Sequence, residues 1–244
     1  MMPGMVALLA AWLLLIPGAE YAQLGPLHAV RIDAAKARFR LALGARDGGP
    51  RTAGQWADDR KFAVVMNAGM FAPDGSLTGY ARDGTYESGQ PPNKMYKMSF
   101  GFGGPSGAAL LDLEAGALPP AGDYPSLVQN LRLLKTPGVD VWAHAKPKRW
   151  SEAAVAQDAD GRILFVFSRQ PFTMTQFNHE LVSRLGAVRA MHVEGGPEAS
   201  LSIHTQKLRL DLCGSYESGF REDDTNGKQW PIPNVLGIAS QSTP

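Results

Sequence analysis

Apolar and polar residues alternate over short stretches of this chain, and the pattern predicts a protein rich in β-strands. HAVRID and ARFRLALGA alternate with a period of two, as half-buried strands do. KFAVVMNAGMF and VRAMHVEGG are compact apolar runs that predict buried strands, and PNVLGI predicts a closing strand. EAAVAQDADGRILFVFSR predicts two strands joined by a hairpin turn.

Two segments have the pattern of short helices. TAGQWADDR predicts a helix capped by Thr52, and TMTQFNHELVSRLG predicts an amphipathic helix capped by Thr173 or Thr175 and ended by Gly186. SLVQNLRLLK is too short for its periodicity to separate helix from strand. The order of elements predicts an α+β fold, a single domain with a central mixed β-sheet flanked by a few helices.

The N-terminal run MVALLAAWLLLI, residues 5–16, has the length of the apolar part of a signal peptide. No lysine or arginine precedes it, so three interpretations stay open: a signal peptide cleaved near Ala19 or Ala22, an uncleaved N-terminal anchor, or a start codon assigned too early. We therefore divide the chain into residues 1–16, a signal peptide or anchor with membrane association, and a domain over 17–244. We expect an exported protein, periplasmic or extracellular.

Composition and charge narrow the function classes. The 244 residues are 44% hydrophobic, which suffices for a large core. The net charge of +1 and the scattered basic residues predict no nucleic-acid partner. Cys213 is the only cysteine, which excludes an intramolecular disulfide and a cysteine zinc site; LDLCGSY predicts a small buried hydrophobe there.

Two polar residues stand where buried strands end. Asn67 is followed by Ala68 and Gly69, and Glu194 by Gly195 and Gly196. Strand ends collect ligand sites, and the two glycines allow positive φ and an anion-binding nest of free amides. The alternative is a pair of structural turns with a capping asparagine and a surface glutamate.

Four segments in chain order resemble the phosphodiester glycosidase domain: NAGMFAPDGSLTGY, SLVQNLRLL, KRWSEAAVAQDADGRILFVFSR and FNHELVSRLGAVRAMHVEGGPEASL. The resemblance runs from about Pro17 to Gly237. That family includes the uncovering enzyme of lysosomal glycans and exported bacterial proteins, some linked to exopolysaccharide. The resemblance implies a hydrolase that cleaves a glycosyl phosphodiester, with a glycan or sugar phosphate as ligand.

This chain matches some of the family's motifs more closely than others. Its Asn-Ala/Gly-Gly-Phe-Phe element matches Asn67 to Phe71, and its Gln-Ser-Gly-Pro element keeps only Gln129. Its Arg-Thr-Ala-Val-Gly strand becomes RWSEAAVAQD, with Arg149 displaced. Its Asp-Gly-Gly-Gly-Ser element becomes Glu194 to Pro197, with Ser200 as counterpart of the serine. The departures fall at the site that the resemblance implies.

The chemistry needs a carboxyl group and donors for the phosphate. Glu194 is the first choice for the carboxyl group and Glu198 the second. Arg149 is the predicted phosphate clamp, with Lys148 as substitute, because a guanidinium binds phosphate oxygens in pairs. Asn67 is predicted to hydrogen-bond the sugar or the phosphate. Further contacts with the substrate are predicted for a set of residues around these motifs: Gly69, Gln129, His192, Gly195, Gly196, Glu198, Ser200 and Trp230.

His192 precedes Glu194 by two residues, so on a strand both side chains point to one face. It is either a partner that shifts the pKa of Glu194 or a satisfied core residue. No third ligand stands at a telling spacing, so we predict no metal and no cofactor. The loop before PNVLGI contains acidic residues and Trp230. This combination is typical either of a sugar-binding site or of a solvated surface loop.

Three functions follow from these residues: a glycosyl phosphodiester hydrolase, a non-catalytic carbohydrate- or phosphate-binding protein on the same fold, and an envelope assembly protein without a small-molecule site. Geometry separates them. The first two require Asn67, Arg149 and Glu194 to converge on one cleft.

Overall fold

A computed structural model describes residues 11–88, 91–114 and 117–240. Its first half contains β1 (Leu13–Ile16), β2 (Ala19–Leu24), β3 (Leu27–Ile32), β4 (Ala37–Leu43), α1 (Gly44–Asp47), α2 (Ala53–Arg60), β5 (Val64–Asn67), β6 (Ala81–Asp83), β7 (Tyr86–Glu87), β8 (Met98–Gly104) and β9 (Gly107–Asp112). Its second half contains β10 (Ser126–Asn130), β11 (Arg132–Lys135), β12 (Val139–Asp140), β13 (Trp150–Asp158), β14 (Ile163–Phe172), α3 (Met174–Leu185), β15 (Ala187–Gly195), a short 3-10 helix (Gly196–Glu198), β16 (Ser200–His204), β17 (Arg209–Cys213) and β18 (Asn234–Ser240). Strands dominate, as the alternation predicts.

The strands of the described residues form three sheets. The largest has the order β1-β2-β3-β14-β13-β15-β11-β12, and the others have the orders β7-β6-β10-β8-β9 and β17-β16-β5-β18-β4. One buried apolar cluster takes side chains from all three sheets, among them Phe165, Phe100 and Met66. Because one core joins the sheets, these residues form a single domain.

The prediction of one central mixed sheet is wrong. Every strand pair among the described residues is antiparallel. The succession β14–α3–β15 suggests parallel neighbours, but β13 lies between these two strands and pairs antiparallel with both. Helix α3 crosses over β13 and buries Phe177 and Leu181 against the large sheet.

Most local predictions are confirmed. Thr52 caps α2 and Thr173, rather than Thr175, caps α3, each through a capping box; Gly186 ends α3 in the left-handed conformation. SLVQNLRLLK forms two strands, β10 and β11, which belong to different sheets. Leu131 lies where the chain crosses from one sheet to the other.

The N-terminal segment contributes an edge strand. Strand β1 pairs with β2, and Leu15 packs in the main core. Residues 1–10 lie outside the described residues, so the assignment of residues 1–16 to a signal peptide or anchor stays a prediction. Among the described residues, no helix has the length and apolar character needed to span a bilayer.

Cys213 is not the buried hydrophobe that the sequence predicts. It ends β17, the edge strand of its sheet, and is only half-buried. The Arg169 Nη1 atom lies 3.0 Å from its carbonyl oxygen and 3.3 Å from its Sγ atom. An edge strand leaves one side of its last residue open, which explains the difference.

Candidate active site

Segments from all three sheets enclose a cavity of about 410 Å³. The end of β15 lies beside the start of β13 because the two strands pair antiparallel, with Glu152 opposite Gly195. Met70 follows β5, and Leu131 marks the crossing between β10 and β11. The volume falls in the range of small-molecule sites.

Three carboxyl groups line this cavity: Glu194, Glu198 and Glu217. Burial raises the pKa of Glu194 well above its usual value; the 3.1 Å hydrogen bond from the Gly195 N–H opposes this, and the charges of Glu198 and Glu217 add to it. Burial also raises the pKa of Glu198, with Glu217 adding to the effect. Glu194 therefore keeps its proton to a higher pH than an ordinary carboxyl group, as a general acid requires.

Apolar and aromatic side chains form much of the remaining cavity wall. Trp142 and Trp150 line the cavity together with Phe71 and Met174, the first residue of α3. The Trp142 Nε1–H donates to the Arg132 carbonyl oxygen at 2.7 Å, which fixes the indole ring. Indole rings and carboxyl groups in one cavity suit a sugar, which has apolar ring faces and polar edges.

His192 and Glu152 form a buried pair beside the cavity. The His192 Nε2 atom lies 3.1 Å from Glu152 Oε2, and the two residues are 3% and 0% exposed. Burial raises the pKa of Glu152, and His192 partly offsets this. His192 and Glu194 both line the cavity, as strand alternation predicts, but the partner of His192 is Glu152 rather than Glu194.

The Gly195–Gly196 turn lets two side chains approach closely. A Cβ atom on Gly195 would lie 3.0 Å from the Trp150 ring, and one on Gly196 would lie 3.1 Å from Glu217 Oε2. The predicted positive φ is confirmed for Gly196 (65°), whereas Gly195 is extended (−137°). The predicted nest of two free amides is wrong, because the Gly195 N–H donates to Glu194 Oε1.

Asn67 supports the cavity from behind and does not line it. Its Nδ2 atom donates to the Glu198 carbonyl oxygen at 3.1 Å, and its Oδ1 atom accepts from the Ser200 N–H at 2.8 Å. The Ser200 hydroxyl also donates to the Glu198 carbonyl oxygen. The two predicted ligand contacts, Asn67 and Ser200, therefore hold the turn that carries Glu198.

Gln129 and Gly69 also have structural positions. The Gln129 amide donates to the carbonyl oxygens of Asn93 and Tyr96, both at 2.9 Å, and its oxygen accepts from two backbone N–H groups. A Cβ atom on Gly69 would lie 2.9 Å from Asn130 Nδ2 and 3.3 Å from the Leu77 side chain, so the side chains around this position pack closely. Neither residue lines the cavity, contrary to the prediction of substrate binding.

Arg149 and its substitute Lys148 are exposed and do not line the cavity. The Arg149 guanidinium donates to the Pro171 carbonyl oxygen at 3.1 Å, on the outer side of the sheet. Trp150, the next residue, takes the inward position. The predicted phosphate clamp is therefore not part of the site: of the three residues expected to converge, Glu194 lines the cavity, Asn67 lies behind it and Arg149 lies outside.

Trp230 lies beyond the cavity on the loop between β17 and β18. Its Nε1–H donates to Asn226 Oδ1 at 3.2 Å, and its ring meets Phe220 edge to face with centroids 6.4 Å apart. Trp230 is half-buried and Phe220 is 65% exposed. The predicted sugar-stacking residue is thus not part of the cavity wall, whereas Glu217 of the same loop is.

A second cavity, about 590 Å³ in volume, lies beside α2 and β16. Its histidine, His204, has both ring nitrogens engaged, 2.8 Å from Asp58 Oδ1 and 2.9 Å from Asp211 Oδ1. No comparable enclosed carboxyl group faces this cavity among the described residues. The smaller cavity at Glu194 is the better candidate site.

Sequence reasoning missed most of the cavity wall, above all Trp142 and Trp150. Trp150 directly precedes SEAAV. An aromatic residue at the start of a strand, in register beside a pair of glycines, is the signal from which its place in the cavity wall could have been predicted. Trp142 and Met174 come from segments whose position depends on the tertiary fold.

The three antiparallel sheets thus carry a cavity that combines carboxyl groups with indole rings. The family model for phosphodiester glycosidase matches residues 60–239, and the chain belongs to this family. The resemblance seen in the sequence is thereby confirmed. A search of curated proteins gave no match.

Solved structures share the fold. The catalytic domain of zebrafish N-acetylglucosamine-1-phosphodiester alpha-N-acetylglucosaminidase, auto-inhibited by its pro-peptide, superposes with a TM-score of 0.62 at 15% identity, covering 91% of this chain and 78% of that one. A hypothetical protein from Synechocystis gives 0.57 at 15% identity, covering 95% and 61%. A Burkholderia pseudomallei protein designated as exported gives 0.50 at 11% identity, covering 91% and 74%.

Proposed function

We propose that this protein hydrolyses a glycosyl phosphodiester in the Glu194 cavity, on a glycan of the cell envelope or the exterior. The observation that carries the proposal is the half-buried Glu194 carboxyl group in a cavity that Trp142 and Trp150 also line, in a chain of the phosphodiester glycosidase family. The indole rings would hold the faces of the sugar, and the carboxyl groups its reactive edge.

Glu194 would act as the general acid of the reaction and Glu198 as its general base. Water adds to the anomeric carbon as the bond from that carbon to the bridging oxygen breaks. Glu198 takes a proton from the water, and Glu194 gives its proton to the departing phosphate oxygen. The products are the free sugar and a phosphomonoester. The proton from Glu194 neutralises charge on the leaving group in a cavity that no lysine or arginine of the described residues lines.

The test is hydrolysis of α-linked sugar-1-phosphodiesters by the wild type, Glu194→Gln and Glu222→Gln. Glu222 is an exposed carboxylate of the Glu217 loop and is the matched control. We expect Glu194→Gln to lose about 10²–10⁴-fold in kcat, the usual worth of general acid catalysis, and the control to keep its rate. Unchanged turnover in Glu194→Gln would reject this assignment.

The second candidate is a non-catalytic carbohydrate-binding protein on the same fold. The position of Arg149 and Lys148 outside the cavity favours it, because the family's arginine element is displaced here. Saturable binding of the same compounds without product would support this candidate, and any enzymatic product would exclude it.

We also propose export, on the basis of the apolar run at residues 5–16. Fractionation of cells that produce the tagged chain tests this. Recovery in the periplasm, the membrane or the medium is expected, and recovery in the cytosol alone would contradict it.

A further inference from the structure

We infer that the cavity selects a sugar with a free ammonium group, that is, an amino sugar not acylated on nitrogen, and that Glu217 and the Trp150 indole bind this group. The inference rests on the proposed function, since it names the substrate class of the same site. It follows from three observations: the charges of the cavity's carboxyl groups, the placement of Glu217 beside Trp150, and the His192 ring nitrogen that lacks a hydrogen-bond partner among the described residues.

Among the described residues, the cavity has three carboxyl groups and no lysine or arginine in its lining, and its histidine, His192, lies against Glu152. No lysine or arginine of these residues forms an ion pair with Glu194, Glu198 or Glu217. The arginines of the neighbouring segments are engaged elsewhere: Arg221 with Thr225 and Asp223, and Arg169 with Asp224. An enclosed carboxylate without a partner is costly, and a cationic ligand would remove that cost.

Glu217 and Trp150 are placed as a pair. Their backbones form an isolated antiparallel bridge, and side chains opposite each other across such a bridge lie on one face. Both line the cavity, and the Glu217 side chain packs against Gly196, where a Cβ atom would lie 3.1 Å from Glu217 Oε2. A carboxylate beside an indole ring offers an ammonium group both an ion pair and a cation–π contact.

His192 is a second observation that points to a ligand. It is 3% exposed and lines the cavity, and within the described residues its Nδ1 atom has no hydrogen-bond partner. A buried nitrogen of this kind is normally satisfied, so a ligand hydroxyl is its natural partner.

A sugar ammonium fits this geometry better than a metal ion. No three His, Cys, Asp or Glu side chains of the described residues are grouped closely enough to hold a metal. An ammonium group needs only one or two carboxylates and an aromatic face, and the remaining wall of Phe71 and Trp142 accommodates a sugar ring.

The experiment compares three methyl phosphodiesters, of α-glucosamine, α-N-acetylglucosamine and α-glucose, with wild type, Glu217→Gln and Glu222→Gln. We expect kcat/KM for the free amine to exceed the other two by about tenfold or more, since hydrogen bonds to charged groups discriminate strongly. In Glu217→Gln this ratio should fall toward one, and in Glu222→Gln it should persist. Calorimetric titration with the three sugar 1-phosphates measures the same preference without turnover.

The outcomes separate this inference from the proposed function. Cleavage of the N-acetylated or neutral compound as well as or better than the amine overturns the inference and leaves the hydrolase intact. Preferential binding of glucosamine 1-phosphate without cleavage of any diester supports the inference and rejects the hydrolase. Absence of any preference in both assays, or an unchanged ratio in Glu217→Gln, overturns the inference.

Discussion

Replacing Glu194 with glutamine should stabilise this protein at neutral and alkaline pH. The Glu194 side chain is half-buried in the cavity beside Glu198 and Glu217, and desolvation raises its pKa well above the usual value. Glutamine keeps the shape and the oxygen that accepts from the Gly195 N–H, but it cannot ionise. Residues retained for function at the expense of stability behave in this way.

The sign and the magnitude follow from proton linkage. Between its unfolded and folded pKa values, Glu194 is protonated in the folded protein and ionised in the unfolded chain. The free energy of unfolding therefore falls as the pH rises through this window, by up to about 1.4 kcal/mol per pH unit. At about 2–4 °C per kcal/mol for a chain of this size, the stability gap between Glu194→Gln and the wild type should widen by about 3–6 °C per pH unit.

Thermal unfolding of both proteins in steps from pH 4 to pH 9 measures this gap. It should be near zero at pH 4, where the carboxyl group is protonated in both states, and should open above that. Glu222→Gln, at an exposed position, should show no such trend. A constant gap, or a glutamine variant that is less stable at pH 8, would refute the placement of Glu194 in an enclosed cavity.

Three further substitutions test the positions of individual residues. Asn67→Ala leaves the Ser200 N–H unpaired and should cost about 1–3 kcal/mol in denaturant unfolding; lost turnover at unchanged stability would instead make Asn67 a ligand contact. Arg149→Ala should change kcat/KM little, and a large loss would show that this side chain reaches the substrate. Gly195→Ala places a methyl group 3.0 Å from the Trp150 ring, so it should cost about 1–3 kcal/mol and lower kcat/KM; full activity would show that the indole moves freely.

Features set by neighbouring residues could be predicted from this sequence. The Thr173 cap and the Gly186 stop define α3, and alternation defines β13 and β14. Glu194 was found because a carboxylate between an apolar strand and two glycines is unusual. Each of these signals depends on residues within a few positions of one another.

Features set by pairing over long distances could not be predicted. The place of β13 between β14 and β15 decides whether the sheet is mixed, and nothing local specifies it. Local sequence cannot separate a ligand contact from a structural role at Gln129 and Asn67, because their partners, such as Tyr96 and Glu198, are distant in sequence. A polar side chain next to glycine has the same local pattern whether it faces a ligand or holds a loop.

The Arg149 result connects the two proposals. A phosphodiester carries a negative charge, and an acidic cavity repels it unless a positive charge lies nearby. In this chain Arg149 is exposed and does not line the cavity, whereas Trp150 does. A sugar with its own ammonium group would bring the missing charge with it, to a place beside Glu217. The two proposals then fit together, because the substrate rather than the protein would supply the cation.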